Sequence, residues 1–359
     1  MKTTDAWKND IRYLGGSIEK EQELILQFAK DIREVVLASA EERKGPPVRP
    51  QHAKQLAGIR RAEFRIDPNL AADLQTGFLQ AGKVYPAIVR LSNAGGEVRA
   101  SDAEKDLRGV AVRVLPDAGQ AHDWLMTNAE EHHAKDAVEA MATTLAFAGE
   151  SVLTNVLEEF FGDDANFASL ARKLTNMADK ISGIRRLVMS VGPGDALHIL
   201  KTLSGQMKAP VPSLASETFW SRAPIAIGQV AVKYMLRPQA AKESGDTPAS
   251  LHDELAARLR QGPVVYDFCV QRYLDPESTP IENARPAWNS PQEKIGELVL
   301  LQQDLGDAAG RSDDAFVDAL AFNPWQVNTP DFVPVGSMNR ARKLVYEASA
   351  DAGKRHAGA

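Results

Sequence analysis

The chain changes texture twice along its length. In residues 17–43, Ile18, Leu24, Ile25, Phe28, Ile32 and Val35 recur near helical spacing, which predicts an amphipathic helix that Gly45-Pro-Pro47 ends. Short runs rich in β-branched residues follow at 59–66, 87–92, 109–115 and 123–127, and each predicts a strand. Asn93-Ala-Gly-Gly96 and Asp117-Ala-Gly119 punctuate them as turns. From Ala134 to about Leu203 alanine and leucine dominate at helical spacing. This block predicts about three helices, with breaks near Gly162, Gly183 and Gly192-Pro-Gly194. Strand-like runs return at 225–236, 264–274 and 294–303; residues 316–322 predict a short helical turn and residues 338–352 a final helix.

Strands, then helices, then strands give an α+β pattern. Because no regular helices separate the strands, a doubly wound parallel sheet is disfavoured. A large antiparallel sheet or barrel with a helical insertion fits, and without a long Pro/Gly-rich linker one domain is expected.

Composition narrows the chemistry. The 359 residues include one cysteine, Cys269, so an intramolecular disulfide, a zinc site built on thiolates and an iron–sulfur cluster are all excluded. Lys plus Arg is 42 and Asp plus Glu is 48, a net charge of −6, which argues against a nucleic-acid partner. No uninterrupted run of about 18 apolar residues predicts a membrane span. Residues 1–16 lack an apolar signal core, so a cytoplasmic location is expected.

Several residues invite a chemical reading. Glu130 and His133 have the Glu-x-x-His spacing of a di-iron bundle, but such a site needs two of these motifs and further glutamates, so a solvated polar turn is the plainer reading. Gly192-Pro-Gly-Asp195 lacks the residues of a phosphate loop, and Asp195 reads as a helix cap. Cys269 reads as a buried, inert thiol. Arg90 and Ser92 share one strand face while Val89 and Leu91 take the other. On an interior face that pair would need an anionic or hydrogen-bonding partner; on a solvent face it would need none. Arg342 and Tyr346 share a helix face at i, i+4, where a guanidinium favours the phenolate, a hard ligand for iron. Arg49 and His52 lie in the loop after the first helix, and Asn128 ends the apolar run Trp124-Leu-Met-Thr127.

In this order the residues resemble the haem-catalase superfamily. Arg49-Pro-Gln-His52-Ala-Lys54 resembles its distal-histidine segment, and Tyr85-Pro-Ala-Ile-Val-Arg-Leu-Ser92 the strand that follows. Asp106-Leu-Arg-Gly-Val-Ala-Val112 resembles the next strand, and Asp123-Trp-Leu-Met-Thr-Asn128 the one that delivers the distal asparagine. Asn339-Arg-Ala-Arg-Lys-Leu-Val-Tyr346 resembles the proximal helix. The resemblance spans about residues 46 to 350, and Asn323-Pro-Trp325 with residues 334–343 places it in the short, catalase-related branch.

The resemblance implies a catalase-like antiparallel β-barrel with a helical insertion and a C-terminal proximal helix. It also implies an N-terminal helical segment over residues 1–45 and a haem domain over 46–359. Tyr346 would ligate the iron of haem b, as tyrosine does in catalases, and Arg342 would hold it ionised. His52 would move the peroxide proton, Asn128 would orient the peroxide, and Ser92 would fix the His52 tautomer. Arg49 and Arg90 would pair with the haem propionates.

The chain departs from that pattern at Gln51, where catalases carry Val and allene oxide synthase-like relatives Thr. It departs again at Glu130-Glu-His-His133, where paired aromatics are usual, and at Gly353, where a propionate-binding arginine is usual and Lys354 and Arg355 follow. A polar approach to the haem argues against high catalase activity. The leading expectation is a haem peroxidase acting on hydrogen peroxide or organic hydroperoxides with a small organic reductant. The alternatives are rearrangement of a lipid hydroperoxide and a non-enzymatic haem carrier. Residues 1–45 are expected to be available for a homo-oligomer interface.

Overall fold

Alternation along the strand-like runs closes into a barrel in the computed structural model, which describes residues 5–45, 47–96, 98, 100–147, 182–207 and 209–357. Strands β1 (Gln55–Ile66), β2 (Val84–Asn93), β3 (Arg108–Val114) and β4 (His122–Thr127) form an antiparallel meander. It continues through β5 (Phe219–Trp220) to β7 (Val230–Pro238), β8 (Val264–Arg272) and β9 (Gln292–Leu300), and β9 pairs back on β1. Eight strands thus close the ring. Two short strands, β6 (Ile225–Ile227) and β10 (Phe332–Pro334), extend it beside β7.

The run at 225–236 is therefore two strands. Gly228, at φ +58°, makes the tight turn between Ile227 and its partner Val230. The two-residue strand β5, the three-residue strand β10 and helix α5 (Leu251–Gln261) were not expected from the sequence.

Phe64, Val89, Leu91, Val112, Trp124, Tyr234, Phe268 and Leu298 fill the barrel interior. Strand side chains alternate, so Arg90 and Ser92 point out of the barrel. They do not reach solvent: each is 3% exposed. Elements packed on the outer wall bury that face.

Helix α1 (Ile18–Arg43) begins where Ser17 caps it, its hydroxyl accepting from the Lys20 N–H. Among the described residues, helices α2 (Ala137–Phe147), α3 (Ser182–Val191) and α4 (Pro193–Met207) lie in the insertion between β4 and β5. Gly192, at φ +83°, separates the last two, and Pro193 opens α4, a position where its missing N–H costs nothing. Gly183 lies in the first described turn of α3, and the residues just before Ser182, like Gly162, lie outside the described residues. Asp195 is not the cap expected of it. It sits inside α4 and pairs with Arg285 at 2.9 Å and Lys135 at 3.3 Å. Helix α6 (Ala308–Asp318) starts well before residue 316 because Asp307 caps it through the Gly310 N–H.

The final helix, α7 (Gly336–Ala357), lies against α1 and α2. Ile25 packs with Ala137 and Ala341, and Ile32 and Val36 with Met141 and Ala352. Arg340 adds ion pairs to Glu21 and, at 2.8 Å, to Glu282. No helix among the described residues is long and apolar enough to cross a membrane.

His122 carries a stability consequence. It lies fully buried among Phe78, Trp124 and Phe332, and burial pushes its pKa down to about 3. The unfolded chain protonates such a group near 6.5, so below that pH it binds the proton that the native state refuses. Its stabilising contribution is complete above about 6.5 and falls as the pH drops toward 3. Urea midpoints are expected to fall between pH 7 and pH 4, and His122→Phe is expected to flatten part of that fall.

Candidate active site

The outward face of β2–β4, the loop 47–54 and helix α7 bring the expected site residues together. His52 has a left-handed backbone, φ +55°, a conformation few non-glycine residues adopt without support. Support is present: the His52 N–H donates to the Ala94 carbonyl at 3.0 Å, the Ala53 N–H to that of Gly95 at 3.1 Å, and Arg90 donates to the His52 carbonyl at 3.1 Å. The ring nitrogen Nδ1 lies 3.1 Å from Ser92 Oγ. Ser92 is paired in register with Gly109, where any Cβ would meet the imidazole at 2.5 Å. A glycine at 109 is thus what lets the ring lie flat on the wall.

The Asp-x-Arg-Gly motif also builds this surface. Asp106 accepts the Gly95 N–H at 3.0 Å, and Arg108 donates to the Asn93 side chain and to the carbonyls of Asp102 and Glu104. These bonds fix the turn against which His52 is held.

Asn128 is anchored more tightly than the resemblance implied. Its side-chain oxygen accepts the Arg108 N–H at 2.7 Å, and its amide donates to Glu217 at 3.1 Å. One amide hydrogen and one oxygen lone pair are left for a ligand. Gln51 is exposed and bonds Thr144 on α2 at 3.1 Å.

On α7, Arg342 donates to the Tyr346 hydroxyl at 3.0 Å and to Asn339 at 3.1 Å, and its guanidinium lies 5.1 Å from the Tyr346 ring centre. Asn339 in turn holds the helix to the wall through the Pro224 carbonyl. Trp325 of the Asn-Pro-Trp motif donates to the Asn339 carbonyl, which explains that motif as a clamp on the same helix.

The electrostatics of the site are one-sided. Burial pushes the His52 pKa down to about 3, assisted by the charges of Arg90, Arg342, Arg49 and Arg222. Arg49 donates to the Leu320 carbonyl and lies near enough to feel both Asp318 and Tyr346; burial lowers its proton affinity. Arg90 is likewise pushed down to about 10, first by burial and then by Arg49, with Asp318 at 3.3 Å opposing. Asp318 is itself more than half exposed, and the Nε atoms of Arg90 and Arg222 are buried without a hydrogen-bond partner. Arg49, Arg90 and Arg342 beside a neutral imidazole fit a group that carries two carboxylates and takes a phenolate ligand, as haem does. The side chains of Lys354 and Arg355 lie outside the described residues.

One part of the site differs from its sequence reading and another was missed by it. Glu130-Glu-His-His133 is solvated only in part: Glu131 is exposed, whereas the His132 and His133 rings lie 4.4 Å apart and burial, first among the causes, holds both well below the usual histidine range. Arg222, in the segment between β5 and β6, helps to hold the His52, His132 and His133 rings neutral and carried no motif to announce it. Among the described residues no cluster of three or more His, Cys, Asp or Glu could hold a metal ion. Cys269 is buried in β8, as expected, and burial raises its thiol pKa.

Residues 26–149 match the family model described as catalase. A catalase-related peroxidase of Mycolicibacterium paratuberculosis is 27% identical over 286 residues, which cover 75% of this chain and 78% of the relative. Catalase T of Saccharomyces cerevisiae is 32% identical over 98 residues, 27% of this chain and 17% of the relative. Among solved structures, catalase A from Saccharomyces cerevisiae superposes with a TM-score of 0.57 at 15% identity, over 89% of this chain and 63% of that one. A fungal catalase superposes with a TM-score of 0.60 at 16% identity, over 90% and 62%. The chain thus spans less than two thirds of the length of these solved catalases.

Proposed function

Because the chain belongs to the catalase superfamily, in its short, catalase-related branch, we propose that it is a haem-dependent peroxidase. Its substrates would be hydrogen peroxide or an organic hydroperoxide, with a small organic molecule as reductant. The observation that carries the proposal is the pairing of a buried, neutral His52 on the barrel wall with an Arg342-bonded Tyr346 on α7, within one cluster of arginines.

In this reading Tyr346 holds the haem iron, Arg49 and Arg90 hold its propionates, and residues 46–359 form the haem domain beneath the helical segment 1–45. When bound, haem supplies the Lewis-acid and redox capacity that the side chains lack. His52 would take a proton from one peroxide oxygen and return it to the other, which leaves as water from hydrogen peroxide or as the alcohol from an organic hydroperoxide; the two electrons for the O–O cleavage would come through the bound haem from the organic reductant. Ser92 occupies Nδ1 and leaves Nε2 for the peroxide. The spare amide hydrogen of Asn128 orients the peroxide. A cytoplasmic location completes the proposal.

The test is turnover by haem-loaded protein supplied with a lipid hydroperoxide and an oxidisable phenol. Reduction to the alcohol, with phenol consumed in step, is the expected result. Rearranged product without phenol consumption would replace the peroxidase reading by the rearrangement reading. Protein that takes up no haem on reconstitution would overturn both.

A further inference from the structure

Arg222 is a buried guanidinium with no carboxylate bonded to it among the described residues. It is 7% exposed and takes a left-handed backbone, φ +59°, between Ser221, which is pinned to Tyr234, and Pro224. Its one short bond goes to the Glu131 carbonyl at 2.7 Å. Contacts to Gln206 at 3.4 Å and Thr127 at 3.5 Å are long and neutral, and Nε–H has no partner. A buried charge left in that condition is costly unless an anion completes it.

A second cation lies close by. Lys233 faces outward from β7 yet is 6% exposed, and among the described residues its amine meets the Pro286 carbonyl at 3.3 Å and the Trp288 ring at 5.4 Å. Its pKa is pushed down to about 8 by burial first and Arg222 second, against Glu130. Beside the pair a shallow groove of about 270 Å³ opens to solvent, lined by Asn128, Ala129, Glu130, Glu131 and Gln206. Glu131 and Gln206 are the residues that touch Arg222, and Asn128 belongs to the proposed site. Glu131 on the groove wall is exposed, whereas the two cations are buried behind the lining, Arg222 against Glu131 and Gln206.

The geometry points to Arg222, with Lys233, as the recognition site for the carboxylate of an organic substrate that enters by this groove toward Asn128. This rests on the peroxidase reading only for what the substrate then undergoes. A carboxylate could be carried by an organic hydroperoxide, by the reductant or by haem itself, and the experiment separates them.

Haem-loaded protein is titrated calorimetrically with decanoate and with methyl decanoate. Decanoate is expected to bind roughly tenfold or more tightly than the ester, and Arg222→Gln to remove that preference while leaving ester binding and haem content unchanged. Arg222→Lys, which keeps the charge, is expected to retain part of the preference. Equal binding of acid and ester, or a preference that survives Arg222→Gln, would overturn the inference. So would a loss of haem from Arg222→Gln with the preference intact, which would assign Arg222 to a propionate. KM ratios of acid to methyl ester, for a fatty-acid hydroperoxide and separately for a phenolic acid reductant, tell which substrate carries the carboxylate. Arg222-dependent decanoate binding by a protein that consumes no peroxide would sustain the site and end the peroxidase reading.

Discussion

Tyr346→Phe is expected to lower haem content and peroxide turnover by about 100-fold or more while leaving the fold intact. The substitution removes one atom, the phenol oxygen that accepts from Arg342 at 3.0 Å. Arg342 keeps its bond to Asn339 and its place over the ring, so the cost in stability is on the order of 1 kcal/mol. Trp325, Asn339 and the Arg340 ion pairs still hold α7 to the wall and to α1. The two effects therefore separate: the Soret band and turnover report ligation, and the thermal midpoint reports the helix. A variant with the native Soret band and native rate would show that the iron ligand lies elsewhere. A variant that unfolds would show that the hydroxyl serves the helix.

Much of this arrangement could be read along the chain because its signals are local. Alternation in residues 59–66, 87–92 and 109–115 marks strands, since each has one face in the barrel and one toward other elements. Helical spacing in α1 and α7 survives because each buries one stripe against the other. The strand of two residues, β5, has no period to detect, and α6 opens with small and polar residues that read as loop until the Asp307 cap is seen. Whether Arg90 and Ser92 were solvated depended on what covered the outer wall, which no window of β2 contains. The same limit hid Arg222. A lone arginine before Ala-Pro carries no pattern, and its burial comes from contacts with Thr127, Glu131 and Gln206 in other segments. The His132 and His133 rings read as solvated because the residues that hold them neutral, Arg222 among them, are distant in sequence.

Gly109 differs from these, because it lies inside a motif that was recognised while its function stayed hidden. Gly109→Ala is expected to cut peroxide turnover by about 100-fold or more, comparable to losing a general acid–base group, with haem uptake retained. An alanine Cβ at 109 would lie 2.5 Å from both Cε1 and Nδ1 of His52 and 3.0 Å from Ser92 Oγ. The clash cannot be relieved through the His52 backbone, which three hydrogen bonds hold in its left-handed conformation. It must be relieved by swinging the imidazole off the wall, and that breaks the contact to Ser92. Strand β3 itself has little reason to object: alanine is at least as compatible with a strand as glycine, and the ladder to Ser92 and Thr127 runs through the backbone. The expected signature is a protein that unfolds at nearly the native temperature and shows the native Soret band, but reacts slowly with peroxide. If Gly109→Ala instead keeps the native rate, the imidazole as placed beside Ser92 is not the group that moves the proton, and the acid–base role assigned to His52 falls.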